Sequence, residues 1–431
     1  MKFSCATLRL LAFVGVASTS HYSVSAFSFP AASTRVDVSE YAPRDVYTMA
    51  DWAAAYGVQQ AQGFEITSYD GQDFFAATQA DLPAGSPILF VPNELMFTAS
   101  KAEQEFGQAL AEAEYQLANG KCAEKIPLFR IFIKILVEYE KGEESPWYPY
   151  LNAMPRLFNN GAAMTFACFD VLPPYAAWLA MTERINSVNF QKAARMVPIL
   201  SDETKQNTNI LKWAYCVATT RAMELNGEKV LAPMADMFNH GTETEVDVSL
   251  DEAGNVMAYT TRDVPAGTPL RMSLGDPTNP SPLFARYGFL DDSSPATFCK
   301  TMHLREEMQQ LGYDFSNLLF YKETGDISME VYDVVLYALL KDLDPDAQQG
   351  FYQAVVNGDE DTKGQYHSHF FPYTLEALKK HVNDTLKELQ DLSAKAMTYD
   401  PSTHPRVPVI LAHNEFVKET FLKVKANLDN M

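Results

Sequence analysis

A chain of 431 residues with 47% hydrophobic composition is long enough for two or three packed domains. Its 34 Lys and Arg against 55 Asp and Glu leave a net charge of −21, which excludes a general nucleic-acid binder, because attraction to phosphate needs a basic surface. An acidic surface suits a Lys-rich protein partner, and it also serves plain solubility.

Residues 1–26 read as a removable export signal. Lys2 and Arg9 accompany a short apolar stretch, and Ser25-Ala26 are small enough for cleavage. That stretch is too short to span a bilayer, and no later run reaches the roughly 18 apolar residues of a span, so no membrane partner is expected. The junction Ser25-Ala26-Phe27-Ser28-Phe29-Pro30 resembles the presequence junction of algae with secondary plastids. The resemblance implies a transit segment, expected over 27–47, and a plastid destination, with secretion as the alternative. Asp37, Glu40 and Asp45 make this segment less basic than a typical transit peptide. Cys122, Cys168, Cys216 and Cys299 are scattered without a Cys-x-x-Cys pair, which fits a reducing compartment rather than a disulfide framework or a zinc site. The sequon Asn383-Asp384-Thr385 is a single occurrence of a common pattern.

From Phe64 to Thr98 the pattern is strand-like, with turns at Asp70-Gly71 and at Asp81-Leu82-Pro83-Ala84-Gly85. The second turn recurs as Asp263-Val264-Pro265-Ala266-Gly267, each time with Pro two residues before a Gly able to take positive φ. Between the two units the chain turns helical: Leu128, Phe129, Ile131, Phe132, Ile135, Leu136 and Tyr139 mark a broad apolar helix face, closed by Gly142. Beyond about Ser294 helical spacing dominates. Leu375, Leu378, Val382, Leu386, Leu389 and Ala396 predict a long amphipathic helix starting after Pro372. Asn357-Gly358-Asp359-Glu360-Asp361 reads as a solvated loop, and His367-Ser368-His369 as a strand with both imidazoles on one face.

The stretch Leu231 to Leu290 carries Asn239-His240, an alternating strand, the second turn unit and Arg286-Tyr287-Gly288-Phe289. It resembles the SET methyltransferase core, in the branch typified by the Rubisco large-subunit lysine methyltransferase. Lys141-Gly142-Glu143-Glu144-Ser145-Pro146-Trp147, Met154-Pro155 and Thr220-Arg221-Ala222-Met223 extend the likeness. The resemblance implies an α+β protein: a β-rich SET core over 48–100 and 206–295, a helical insert over 101–205, and a mostly α-helical C-terminal domain over 296–431.

It further implies a protein-lysine N-methyltransferase using S-adenosylmethionine, with a protein substrate held through the helical C-terminal domain and no nucleic-acid partner. A monomer is expected. A plastid protein such as the Rubisco large subunit or an aldolase is the implied target, and histidine stays open as acceptor. Asn239 and His240 would hold the cofactor together with Thr220, Phe74 and Tyr287. Arg221, Asp236 and Tyr287 would line the methyl-transfer channel. Asp236 and His240, four residues apart, also suit a metal, but no third ligand follows at sensible spacing, so none is expected. Two departures stand out: Leu274-Gly275 replaces the family's Tyr-Gly, and Asp73 stands where a second Gly usually lies. They motivate the alternative of a weakened or inactive protein-binding module with the same fold.

Overall fold

The computed structural model describes residues 34–431. The export signal and its junction lie outside these residues. The expected transit segment, by contrast, belongs to the fold from Thr34 onward. Val36 is buried in the main core, Arg35 pairs with Glu203 at 2.9 Å, and Asp45 caps α1 (Val46–Ala55) by accepting from Thr48 N. Residues 34–47 of the expected transit segment thus supply a core side chain, an ion pair and a helix cap. A protein starting at Thr34 retains these contacts. One starting at Asp45 loses the burial of Val36, at least about 2 kcal/mol, and should melt measurably lower in a thermal scan.

Two strands follow α1. β1 (Phe64–Ser68) and β2 (Phe74–Thr78) pair antiparallel, across a turn in which Asp70 Oδ1 accepts from Gln72 N and Asp73 N and Gly71 takes φ 74°. β3 (Pro87–Val91) follows, and then the helical insert with α2 (Ile126–Lys141), α3 (Pro174–Ala194) and α4 (Thr208–Arg221). The apolar face of α2 is buried as its spacing predicts, and Gly142 closes it at φ 56°.

The chain then returns to the sheets with β4 (Asn239–His240), β5 (Val246–Leu250), β6 (Val256–Thr260), β7 (Thr268–Pro269) and β8 (Arg271–Met272). β6 lies between β3 and β5, β2 lies between β7 and β1, and β8 pairs parallel with β4. The two turn units clasp each other. Leu82 and Val264 exchange backbone hydrogen bonds at 2.8 Å in both directions. Ala84 N donates to Asp263 Oδ1 and Ala266 N to Asp81 Oδ1, each at 2.8 Å. Gly85 and Gly267, at φ 77° and 80°, donate to the carbonyls of Thr260 and Thr78. The repeat is therefore a pseudo-twofold contact that joins the two halves of the interrupted core.

α5 (Pro280–Tyr287) leads out of the core into a helical region built from α6 (Met329–Leu343), α7 (Pro345–Asn357), α8 (Glu360–Ala396) and α9 (Val407–Asp429). Leu336, Phe351, Leu378 and Phe421 belong to its own apolar core. Here three local readings are corrected. α8 runs straight through Pro372 and begins at Asp359, whose carboxylate caps Thr362 N; burial of Thr374, Leu378, Val382 and Leu389 outweighs the one backbone bond that proline removes. Of the acidic run only Gly358 and Asp359 lie outside helices, and each caps one. His367 and His369 sit on α8 rather than on a strand, so their side chains diverge; His367 Nε2 faces Asp333 at 2.7 Å. Among the described residues the four cysteines are free and buried. No helix among the described residues is long and apolar enough to cross a membrane.

Candidate active site

A cavity of 740 Å³ opens where strap, core and insert meet. Its wall takes Glu40, Tyr41 and Arg44 from the N-terminal strap, Asp73 from the first turn, and Pro155 to Asn159 from the insert. Thr220 and Arg221 close the end of α4, and Asp236, Asn239, His240, Leu274 and Tyr287 complete the ring. A second cavity of 340 Å³ shares Asp70, Asp73, Asn239 and His240 with the first and runs on to Phe75 and Arg271. Six of the seven residues expected at the site thus line one space. Phe74 is the exception, because its neighbours Asp73 and Phe75 face the cavities and side chains alternate along a strand. It is buried in the core.

His240 has both ring nitrogens engaged. Nδ1 accepts from Leu274 N at 3.1 Å, so Nε2 carries the proton and donates toward Asp291 Oδ2 at 3.2 Å. Burial holds the imidazole below its usual range despite the Asp291 carboxylate. Asp291 also accepts from Thr242 Oγ1 at 2.7 Å. His240 therefore pins β4, the strand after β7, and the segment beyond α5 to one another. It has no nitrogen free for the metal that its spacing from Asp236 allowed, and among the described residues no group of three His, Cys, Asp or Glu could hold one.

Tyr287 ends α5, and its phenol donates to the Leu274 carbonyl at 3.3 Å. Burial raises that phenol above its ordinary range. The helix stops there because Gly288 takes φ 88°, and a Cβ on it would come within 2.6 Å of the Asn159 and Asn160 backbone. The Tyr-Gly-Phe motif is thus a docking point for the insert as well as a helix end. Thr220 Oγ1 donates to the Cys216 carbonyl at 2.8 Å along its own helix.

The charged floor is built from α4, the strap and the loop before β4. Arg221 Nη1 donates to the backbone carbonyl of Asp236 at 2.8 Å. Arg44 donates to the carbonyls of Ala153 and Gln72, each at 2.8 Å, with its guanidinium 5.0 Å from the Phe74 ring. Its Nη2 is buried without a partner among the described residues, as are both carboxylate oxygens of Asp236. Burial draws the Arg44 guanidinium down to about 9. Burial likewise lifts the Asp236 carboxyl to about 6, against the opposing pull of Arg221 and Arg44. A carboxyl raised in the fold contributes most to stability below its unfolded value, and that contribution fades as pH rises through about 4 to 6. Asp236→Asn is therefore expected to stabilise the free protein by about 1–3 kcal/mol above pH 6 and to change nothing below pH 4. Urea unfolding at pH 4 and pH 8 checks this.

Arg44, the loop from Pro155 to Asn159 and Asp291 escaped the sequence reading. Arg44 sits in a segment whose flanking features suggested a leader, and beyond Pro155 the loop carries no motif. Asp291, two residues beyond Phe289, was within reach of the motif. The helical region also touches the site: Arg406 pairs with Glu40 and donates to the Phe158 carbonyl at 2.7 Å.

No family model matches the chain. It is 24% identical over 237 residues to "SET domain-containing protein 4" of Artemia parthenogenetica, spanning 51% of this chain and 56% of that protein. It is 23% identical over 144 residues to the human protein of the same name, spanning 29% and 33%. The chain thus covers about half or less of the length of the curated relatives it matches. Among solved structures it resembles the SET domain of LSMT bound to lysine and AdoHcy, with a TM-score of 0.63 and 14% identity over 90% of this chain and 91% of that one. Rubisco LSMT bound to AdoMet is similar too, with a TM-score of 0.61 and 16% identity over 90% and 92%.

Proposed function

We propose that this chain, a SET-domain protein folded like the Rubisco large-subunit methyltransferases, transfers methyl groups from S-adenosylmethionine to a side-chain nitrogen of a protein, lysine first. The observation that carries the reading is the cavity at which Arg221, Asp236, Asn239, His240 and Tyr287 converge with unpaired polar groups at its floor. The cofactor is a zwitterion with an added positive sulfonium, and the residues fit it. Arg44 Nη2 is a buried donor without a partner, suited to a carboxylate, and Asp236 is a buried carboxylate suited to positive charge. Asn239 and His240 would hold the adenine and amino-acid ends.

When bound, the cofactor supplies an electrophilic methyl group. The protein's part is to present a neutral amine in line with it. A lysine with an unperturbed pKa near 10.4 costs roughly 3 kcal/mol to deprotonate at pH 8, and a neighbouring positive charge lowers that cost. Phe289 and the Tyr287–Leu274 contact line the cavity, and the backbone carbonyls of Arg221 and Asp236 would receive the amine. Orientation and desolvation then supply the acceleration, without a strong base.

Calorimetric titration with S-adenosylmethionine, followed by incubation with labelled cofactor and a plastid extract, tests the reading. Micromolar binding and a labelled protein band are expected. Binding without transfer would favour the non-catalytic protein-binding module that Leu274 motivates, and absence of both would end the methyltransferase reading. A plastid protein such as the Rubisco large subunit or an aldolase is the proposed target, docked on the helical region. Plastid delivery rests on the junction around Phe27. Residues 1–30 fused to a fluorescent reporter should enter the plastid, and Phe27→Ala should divert them.

A further inference from the structure

A third cavity, of 710 Å³, lies between the insert and the helical region, and Lys300 is among the residues that line it. Lys300 sits there with its backbone at φ 65°, a conformation that a residue with a Cβ adopts only when its surroundings enforce it. Its ammonium lies 5.0 Å from the Tyr175 ring centroid and donates to Ser281 Oγ at 3.4 Å. Ser281 in turn faces His413 Nε2 at 3.0 Å. These neighbours offer dipoles and no negative charge.

The carboxylates of the cleft are otherwise engaged or distant. Asp170 pairs with Lys395 at 2.7 Å and Asp384 with Lys380 at 2.5 Å. Among the described residues no carboxylate forms an ion pair with Lys300, and burial pulls its amine down to about 7. A buried amine without a counter-charge gives up its proton more readily, and here it coincides with an enforced backbone in an open cleft. An anion bound beside it would restore the charged form.

The walls narrow the class. Glu388 and Asp391 line the same cleft on α8, and among the described residues neither has an ion-pair partner. Asp170, Asp384, Glu388 and Asp391 line the cleft together with Lys300, Lys387 and Lys395, a mixed wall that suits a ligand carrying both charges better than a dianion. A single carboxylate attached to a cationic body would satisfy both charges. We propose that this cleft is a binding site for a carboxylate carried next to a basic side chain, with Lys300 taking the carboxylate and Glu388 and Asp391 the cation. A peptide C-terminus and a free basic amino acid share that chemistry. The site does not depend on the methyl-transfer reading, although α5 runs from Ser281's turn to Tyr287 and so joins the two cavities.

The test titrates the whole protein with acetyl-Ala-Arg-Ala bearing a free carboxylate, with the same tripeptide as its amide, and with L-arginine. The free acid should bind about ten-fold more tightly than the amide or better. Lys300→Met should erase that difference while leaving S-adenosylhomocysteine binding unchanged. Lys300→Gly, which relieves the left-handed backbone, should do the same and guards against a folding artefact. Tighter binding of L-arginine than of the tripeptide assigns the site to a free amino acid, and the reverse order assigns it to a peptide end. Equal binding of acid and amide, no binding of any probe, or a difference that survives both substitutions overturns the proposal.

Discussion

Leu274→Tyr is expected to raise the methyl-transfer rate by about 10- to 100-fold. The side chain of Leu274 lines the cavity, while its backbone holds the surroundings together through His240 Nδ1 and the Tyr287 phenol. The substitution leaves those backbone bonds in place and adds a hydroxyl where the resemblance leads one to expect a phenol. A hydrogen bond to a charged group is worth about 1.5–3 kcal/mol, which sets the size of the gain. Overpacking opposes it by about 1–3 kcal/mol of stability in a tight core, less beside an open cavity. Tyr287→Phe should act in the other direction by freeing the Leu274 carbonyl. Single-turnover transfer from labelled cofactor separates the cases. A folded Leu274→Tyr protein with unchanged or lower turnover would mean that the pocket is rebuilt around leucine.

Gly288→Ala should be strongly destabilising. The added carbon would enter a left-handed conformation at φ 88° and approach the backbone of Asn159 and Asn160 to 2.6 Å. Backbone cannot swing aside as a flexible side chain can. The conformational cost of about 1–2 kcal/mol and the overpacking cost of about 1–3 kcal/mol add, so a loss of about 2–5 kcal/mol is expected. Cofactor affinity should fall as well, since Tyr287 on one side and Asn159 on the other both line the cavity. Denaturant unfolding with and without S-adenosylhomocysteine reads both effects. An unchanged midpoint would show that the insert loop yields.

Elements whose signal is local were legible in the chain itself. The face of α2, the glycine stop at Gly142, both Pro-Ala-Gly turns and the apolar positions of α8 follow from short-range spacing. The motifs Asn239-His240 and Tyr287-Gly288, which the resemblance singled out, fall at one cavity. What escaped depends on contacts made far away. Arg44 becomes a site residue only through the carbonyls of Ala153 and Gln72. Phe74 was misplaced by one step of the strand pleat, which reverses the face. Pro372 misled because a helix packed along its length tolerates one missing bond.

The clasp between the two turn units also sets an order of events during synthesis. β2 and β3 leave the ribosome early, yet their partners β7 and β6 follow only after the whole insert. At roughly 5–20 residues per second the unpaired edges wait on the order of ten to thirty seconds. During that interval Phe74-Phe75 and Ile88-Leu89-Phe90 present apolar strand edges that other nascent chains can join. Contacts this distant in the chain also make spontaneous refolding slow. Translation that stalls before Val256 should therefore yield an aggregating fragment, whereas a pause after Leu270 leaves every strand of the clasp available to close.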